Sequence, residues 1–397
     1  MLSMMTMPPF DTEALVQAGL GALRRSAPTD ALALFDQVAH AGYGDATVNL
    51  GRAYALAMLQ DHTNAMAAVE VALGFEPRNL RALLLKADLF HRAGNGASAA
   101  CFYQAVLSSV PADAELPPDL GREIARAQAM SVHYAQQFEH SLHQRLAAVS
   151  AVKGEGSPRF SHSVDLLLGR RQIYQQQPKQ FHFAELPAIQ FHQRSHFPWL
   201  RDVEAATDAI RDELLAVMRE DAAFTPYVQR DATRPALTTG GMIDNPGWSA
   251  YYLWKNGTPV PEHAARCPRT LAALAGVPLT TVPGRSPSIL FSLLRPGVLI
   301  PPHTGMVNTR LICHLPLVVP PRCGFRVGNE TREWVEGQAW VFDDTIEHEA
   351  WNLSDQPRVI LLFEVWLPDL TLVERDLVCA VFEAVDSHSP ARGDWSI

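Results

Sequence analysis

A 34-residue period runs through the first hundred residues of this 397-residue chain and constrains that stretch more tightly than any other feature. Gly19, Ala53 and Ala87 fall in register, as do Ala31, Ala65 and Ala99, and then Phe35, Val69 and Tyr103. Pro77 and Pro111 also stand 34 apart, each just past an apolar helical run. Small residues at fixed offsets let two helices approach closely, and a larger residue four positions on fills the gap between them. A single unit of this kind cannot bury its own apolar face, so units stack, and three are about the minimum for a stable stack. The period predicts units over 14–41, 46–76 and 80–111.

A helix–turn–helix period of this length is that of tetratricopeptide repeats, which residues 12–111 resemble. The resemblance implies an N-terminal α-helical solenoid. A proline-rich break over 110–119 follows, and 121–152 then reads as one long helix, with Ile124, Ala127 and Met130 at helical spacing. Gly154, Gly156 and Pro158 close it, and a shorter helix is expected over 163–174. We assign 112–180 to a helical connector and 181–385 to a second domain, because proline, aromatic residues and histidine become frequent from Phe181 onward. Residues 202–220 form an amphipathic helix with Val203, Ala206, Ile210, Leu214 and Val217 as its apolar stripe. Beyond Ser286, short strands are expected over 289–294, 309–315, 324–327, 333–335, 339–342, 347–352 and 358–366, separated by turn signals. Strands at this spacing with no helices between them suggest an antiparallel sandwich or jelly roll.

Composition narrows the function classes. Hydrophobic residues make up 47% of the chain and charged residues 19%, enough to build two cores and too apolar for long disorder. The net charge of −9 comes without a basic run, which argues against sequence-independent nucleic-acid binding. Cys101, Cys267, Cys313, Cys323 and Cys379 are scattered and odd in number, so a disulfide framework is not expected and a reducing compartment is. The opening MLSMMTMPPF lacks the basic and apolar regions of a secretory signal. The apolar run 359–363 falls far short of the ~20 residues that cross a bilayer. These features lead us to expect a cytoplasmic protein with neither a membrane span nor a nucleic-acid partner.

Two histidines carry the chemical signal. His303 follows a strand in Pro301-Pro-His-Thr-Gly305, and His348 enters another in Phe342-Asp-Asp-Thr-Ile-Glu-His348. Side chains at strand ends can point into the mouth of a barrel. Neutral imidazole is a good ligand for Fe(II), and an oxygenase also needs open coordination positions. Either histidine alone would be an ordinary hydrogen-bonded one. The pair gains weight from Arg358, ten residues after His348, whose guanidinium could clamp one end of a dicarboxylate while the other end meets the metal.

His303-Thr-Gly-Met-Val-Asn-Thr-Arg310, Gly328-Asn-Glu-Thr331, Trp334-Val-Glu-Gly337, Phe342-Asp-Asp344 with His348-Glu-Ala-Trp351, and Val365-Trp366 resemble the core of the aspartyl/asparaginyl β-hydroxylase family. The resemblance covers about 186–370 and begins with Phe197-Pro-Trp-Leu200. It implies a double-stranded β-helix (jelly roll) and an Fe(II)- and 2-oxoglutarate-dependent dioxygenase that uses O₂ to hydroxylate a C–H bond. By the same resemblance, His303 and His348 match the iron ligands and the catalytic pair. Arg358, helped by Ser292, matches the site for the distal carboxylate of 2-oxoglutarate. His314 and Trp248 match further contacts in that pocket, and Arg310 matches a substrate-binding cation. The implied substrate is an Asp- or Asn-type side chain in a peptide or protein, with the repeat module as its recruiter. A free amino acid or a lipid acyl chain remains an alternative, as do a non-catalytic repeat scaffold with a ligand-binding β domain and a cupin-like metal protein using another co-substrate.

Two positions qualify the resemblance. The commoner facial triad has a carboxylate two residues after its first histidine, and here that residue is Gly305, as in the two-histidine branch. Asp343 and Asp344 are read as turn and hydrogen-bonding residues. The family pattern expects two alternating basic residues after the first histidine. Arg310 keeps one, and Ile312 replaces the other on the same strand face.

Overall fold

A computed structural model of the chain describes residues 11–111, 113, 115–154, 156–219, 224–230 and 241–388. The expectation for the first ten residues, and the last position of the helix predicted over 202–220, lie outside these. The chain divides into two compact units at the junction of Ser161 and His162.

In the first unit, α1 (Thr12–Arg24) pairs with α2 (Pro28–His40), α3 (Ala46–Met58) with α4 (His62–Phe75), and α5 (Leu80–Arg92) with α6 (Gly96–Ser109). The columns read from the sequence are the packing columns. Ala31, Ala65 and Ala99 are fully buried, and so are Phe35, Val69 and Tyr103. A Cβ at Gly19 would come within 2.8 Å of the Phe35 ring, and one at Gly51 would overlap the same ring, so these glycines make room for the aromatic. The helix caps repeat as well: Asp11, Asp45 and Asn79 stand 34 apart, each accepting a backbone N–H three residues on. The helix α7 (Pro118–Lys153) packs its N-terminal part on α6. Truncating Phe35 to alanine should open a cavity between α1, α2 and α3 and cost the helical unit roughly 3–5 kcal/mol. Urea denaturation followed by circular dichroism measures this, and a loss below ~1 kcal/mol would contradict the packing described.

The helix α8 spans Pro158–Leu167, earlier than the 163–174 expected, because Pro158 takes the first helical position and Gly169 (φ +69°) follows its end. The single helix predicted over 202–220 is two, α9 (Leu200–Ala205) and α10 (Thr207–Met218), with a break at Ala206.

The remainder of the second unit is β1 (Thr225–Pro226), β2 (Trp248–Lys255), β3 (Thr258–Pro259), α11 (Pro261–Arg266), α12 (Pro268–Ala273), β4 (Ile289–Leu294), β5 (Leu299–His303), β6 (Arg310–Val318), β7 (Cys323–Val327), β8 (Glu330–Glu333), β9 (Trp340–Phe342), β10 (His348–Asn352), β11 (Arg358–Trp366) and α13 (Leu372–Ser387). They make two antiparallel sheets, one ordered β1-β2-β4-β11-β6-β9 with β3 beside β2, the other β5-β10-β7-β8. Alternation assigns each strand residue to a face. Ala250, Leu290, Ile312, Ile360 and Leu362 of the larger sheet pack with Ile300, Phe325, Val327 and Ala350 of the smaller one. The intervening residues Tyr251, Phe291, Leu311, Cys313, Leu361 and Phe363 pack with Val203, Ile210, Leu214, Val378 and Phe382 of α9, α10 and α13. That double covering buries every residue of β11.

Most strand bounds match the expectation within a residue or two, and β4 and β11 match it at both ends. Four strands were not foreseen, β1, β2, β3 and β5. β5 contains Pro301-Pro302, which argue against a strand, and it is accommodated as the edge of the smaller sheet. β8 lies at 330–333 instead of 333–335, since the two-residue turn Gly328-Asn329 pairs Val327 directly with Glu330. Among the described residues no helix is long and apolar enough to cross a membrane.

Candidate active site

The ladder between β5 and β10 sets His303 directly opposite His348, and their ring centres lie 4.1 Å apart. The His303 Nδ1 is 2.7 Å from the Pro301 carbonyl oxygen, and the His348 Nδ1 is 3.0 Å from that of Ile346. A carbonyl oxygen only accepts, so each Nδ1 carries the proton and each Nε2 keeps its lone pair. Burial, followed by the neighbouring His348, holds the His303 ring well below its usual titration range. Burial takes His348 down to about 4, although the Ile346 carbonyl opposes the shift. Both rings are therefore neutral near pH 7, the state in which imidazole binds metal. Two converging neutral nitrogens fit the first half of the donor set that Fe(II) would need. Among the described residues no group of three or more His, Cys, Asp and Glu side chains is arranged to hold a metal ion.

Gly305 explains why no carboxylate follows His303. A Cβ there would overlap the Asp344 carboxylate, so Asp344 fills the space in which a side chain at 305 would begin. Asp344 is buried, and its Oδ1 has no hydrogen-bond partner.

Arg358 opens β11 with its side chain toward the same pocket, 2% exposed, and its Nε and Nη1 have no hydrogen-bond partner. Its guanidinium carbon stands 5.3 Å from the centre of the Trp334 ring. Burial lowers its titration to about 10, which leaves it charged at neutral pH. Among the described residues it forms no ion pair. A buried, uncompensated cation is costly, and the cost is recovered when an anionic ligand arrives. Ser292 on β4 lines the pocket and accepts a hydrogen bond from the Trp248 indole at 3.2 Å. Trp248 in turn stacks on Tyr227 at 4.3 Å. His314 on β6 lies against Trp334, its Nδ1 unpartnered, and burial followed by the Arg358 charge holds it well below its usual range.

All seven residues singled out from the sequence therefore line one pocket: His303, His348, Arg358, Ser292, His314, Trp248 and Arg310. Arg310 differs from expectation in its surroundings. Its guanidinium is held between Asp344, at 3.2 Å, and Glu364, which also accepts from Ser286 and from the Ser288 backbone. Ile312, next along that strand face, is buried and lines the pocket.

Sequence reasoning did not foresee the apolar lining by Ile300, Phe325 and Leu362, nor Glu364, nor Lys179. Strand alternation could have placed Phe325 and Leu362. No local signal marks Lys179, whose backbone N–H donates to the Gly305 carbonyl at 3.0 Å and whose charge acts on Asp344.

Residues 204–368 match the family model described as Aspartyl/Asparaginyl beta-hydroxylase. A human relative, "Aspartyl/asparaginyl beta-hydroxylase", is 35% identical over 183 residues, 46% of this chain and 23% of the relative. The "Ornithine lipid ester-linked acyl 2-hydroxylase" of Rhizobium tropici is 32% identical over 190 residues, 47% of this chain and 63% of the relative. The chain thus spans about a quarter of the first relative's length and under two thirds of the second's. Among solved structures, a TPR2B-domain complex of yeast Sti1 covers 32% of this chain and 97% of its own, with 24% identity and a TM-score of 0.28.

Proposed function

We propose that this chain is an Fe(II)- and 2-oxoglutarate-dependent dioxygenase that hydroxylates a C–H bond, and that its two sheets form a double-stranded β-helix. The observation that carries this reading is Arg358, a buried guanidinium with no carboxylate partner, in one pocket with two neutral imidazoles. In this reading His303 and His348 hold the metal through Nε2, and the Pro301 and Ile346 carbonyls fix the ring orientations. Arg358 clamps the distal carboxylate of 2-oxoglutarate, assisted by the Ser292 hydroxyl, and His314 meets the co-substrate's other end. Trp248, Phe325 and Trp334 exclude water from the pocket. The bound iron supplies the oxidising chemistry, with O₂ delivering one oxygen to the substrate and one to 2-oxoglutarate, which leaves as succinate and CO₂. The helical repeats, as an extended stacked surface, would recruit a peptide or protein substrate. Supporting the oxygenase reading over a scaffold is the convergence of both histidines, Arg358, Ser292 and His314 on one pocket. Succinate formed from 2-oxoglutarate on adding Fe(II), followed by proton NMR, tests it, and no turnover with any peptide, amino-acid or acyl substrate would count against it.

The substrate side of the pocket points away from acidic groups. Arg310 is already engaged by two carboxylates, and Ile312 stands where a second guanidinium would be. A substrate carboxylate lacking that second cation forgoes a charge-assisted hydrogen bond of roughly 1.5–3 kcal/mol, about ten- to a hundredfold in selectivity. We therefore expect a preference for neutral side chains, and expect Ile312→Arg to shift kcat/KM toward Asp over matched Asn peptides. A wild-type preference for Asp of tenfold or more would contradict this and would direct attention to Lys179 as the compensating cation.

A further inference from the structure

Two buried polar side chains flank the histidine pair at equal distance along the chain. Asn308 lies five residues after His303, and Asp343 five residues before His348. Each is 1% exposed and must find hydrogen bonds within the protein. Among the described residues the side chain of Gln176 serves both. Its Nε2 donates to Asp343 Oδ2 at 2.6 Å, and its Oε1 accepts from Asn308 Nδ2 at 2.9 Å. The flanking backbone runs along the same two loops. The N–H of Gln177 donates to the Thr345 carbonyl at 2.8 Å, that of Lys179 to Gly305 at 3.0 Å, and that of Gln180 to Met306 at 2.9 Å. Asn308 also exchanges hydrogen bonds with the Phe183 backbone, at 2.7 and 2.9 Å.

This strap, residues 176–183, lies upstream of the segment that matches the family model. Strand pairing sets His348 opposite His303, and the β5–β10 ladder shifts register on the far side of that pair, between His348 and Ala350. The loop leaving His303 and the loop entering His348 meet directly where the Gly305 N–H donates to the Asp344 carbonyl at 2.7 Å, and the amide of Gln176 adds a side-chain bridge between them, with both of its ends used.

We propose that Gln176 is a positioning residue for the metal site, a latch that acts with the Gly305–Asp344 hydrogen bond to hold the His303 and His348 loops together from outside the matched segment. The proposal rests on the two-histidine reading given above. Outer hydrogen bonds that orient metal-binding histidines typically contribute ten- to a hundredfold in affinity. Co(II) titration of the full-length chain, followed by calorimetry and by the ligand-field absorption of the bound ion, tests it. Gln176→Leu should raise the Co(II) dissociation constant by roughly tenfold or more and alter the absorption envelope. Gln176→Asn keeps the amide but is one methylene too short to span both partners, and should give a smaller rise in the same direction if the leucine protein does not fold. Gln172→Ala, on the same stretch but outside the latch, should leave the constant at the wild-type value. Folded Gln176 variants that bind Co(II) as wild type does, with an unchanged spectrum, overturn the latch while leaving the iron site standing. A wild-type chain that takes up no Co(II) overturns the two-histidine reading itself, and the latch with it.

Discussion

Replacing His348 with alanine is expected to abolish 2-oxoglutarate turnover, and His303→Ala to do the same. Among the described residues two imidazoles face the proposed metal, paired across the β5–β10 ladder, so removing either leaves a single protein nitrogen. Each ring is anchored at Nδ1 by a carbonyl within its own turn, so truncation takes away the ligand and little of the surrounding structure. Thermal melting should therefore move by only a few degrees while activity falls to background. Full turnover in the His348→Ala protein would sink the assignment.

Arg358→Ala should have the next largest effect. A carboxylate stranded in a desolvated pocket after loss of its bidentate partner forfeits ~2–5 kcal/mol. The apparent constant for 2-oxoglutarate should therefore rise by well over tenfold. In the unliganded protein the sign reverses for an apolar replacement of similar size: Arg358 is buried without an ion pair, so Arg358→Met should leave folding stability little changed or improved. An unchanged 2-oxoglutarate constant would mean that another cation binds the distal carboxylate, and a large loss of stability would mean that Arg358 is structural.

The parts of this fold that were legible in the sequence are those written in local periodicity. The helical repeats announce themselves because Ala31, Ala65 and Ala99 are buried at the same offset in every unit. The strand β4 was readable at both ends because it is an apolar run, interrupted by Ser292 alone, lying between Pro287 and Arg295. β5 was hidden by its two prolines, which only an edge position tolerates. The histidines, Arg358 and Ser292 were found because a family pattern keeps them at fixed spacing, and they do line one pocket. Partnerships across long sequence distances were not readable. Nothing near Arg310 signals that Glu364, 54 residues on, will engage it. Nor does the Gln-rich turn indicate that Gln176 reaches Asn308 and Asp343, 132 and 167 residues away. The second unit accordingly begins at His162, ahead of the boundary expected at 181, since the strap hydrogen-bonds to the loops around the site.

The central claim is that two histidines and one buried arginine jointly hold a metal and a 2-oxo dicarboxylate. Calorimetric titration of 2-oxoglutarate into the full-length chain, with and without Mn(II) standing in for iron, tests it most directly. The account predicts binding at least tenfold tighter with the metal present, and that gain should vanish in the His348→Ala protein. Equal affinity with and without metal in the wild-type chain would contradict it.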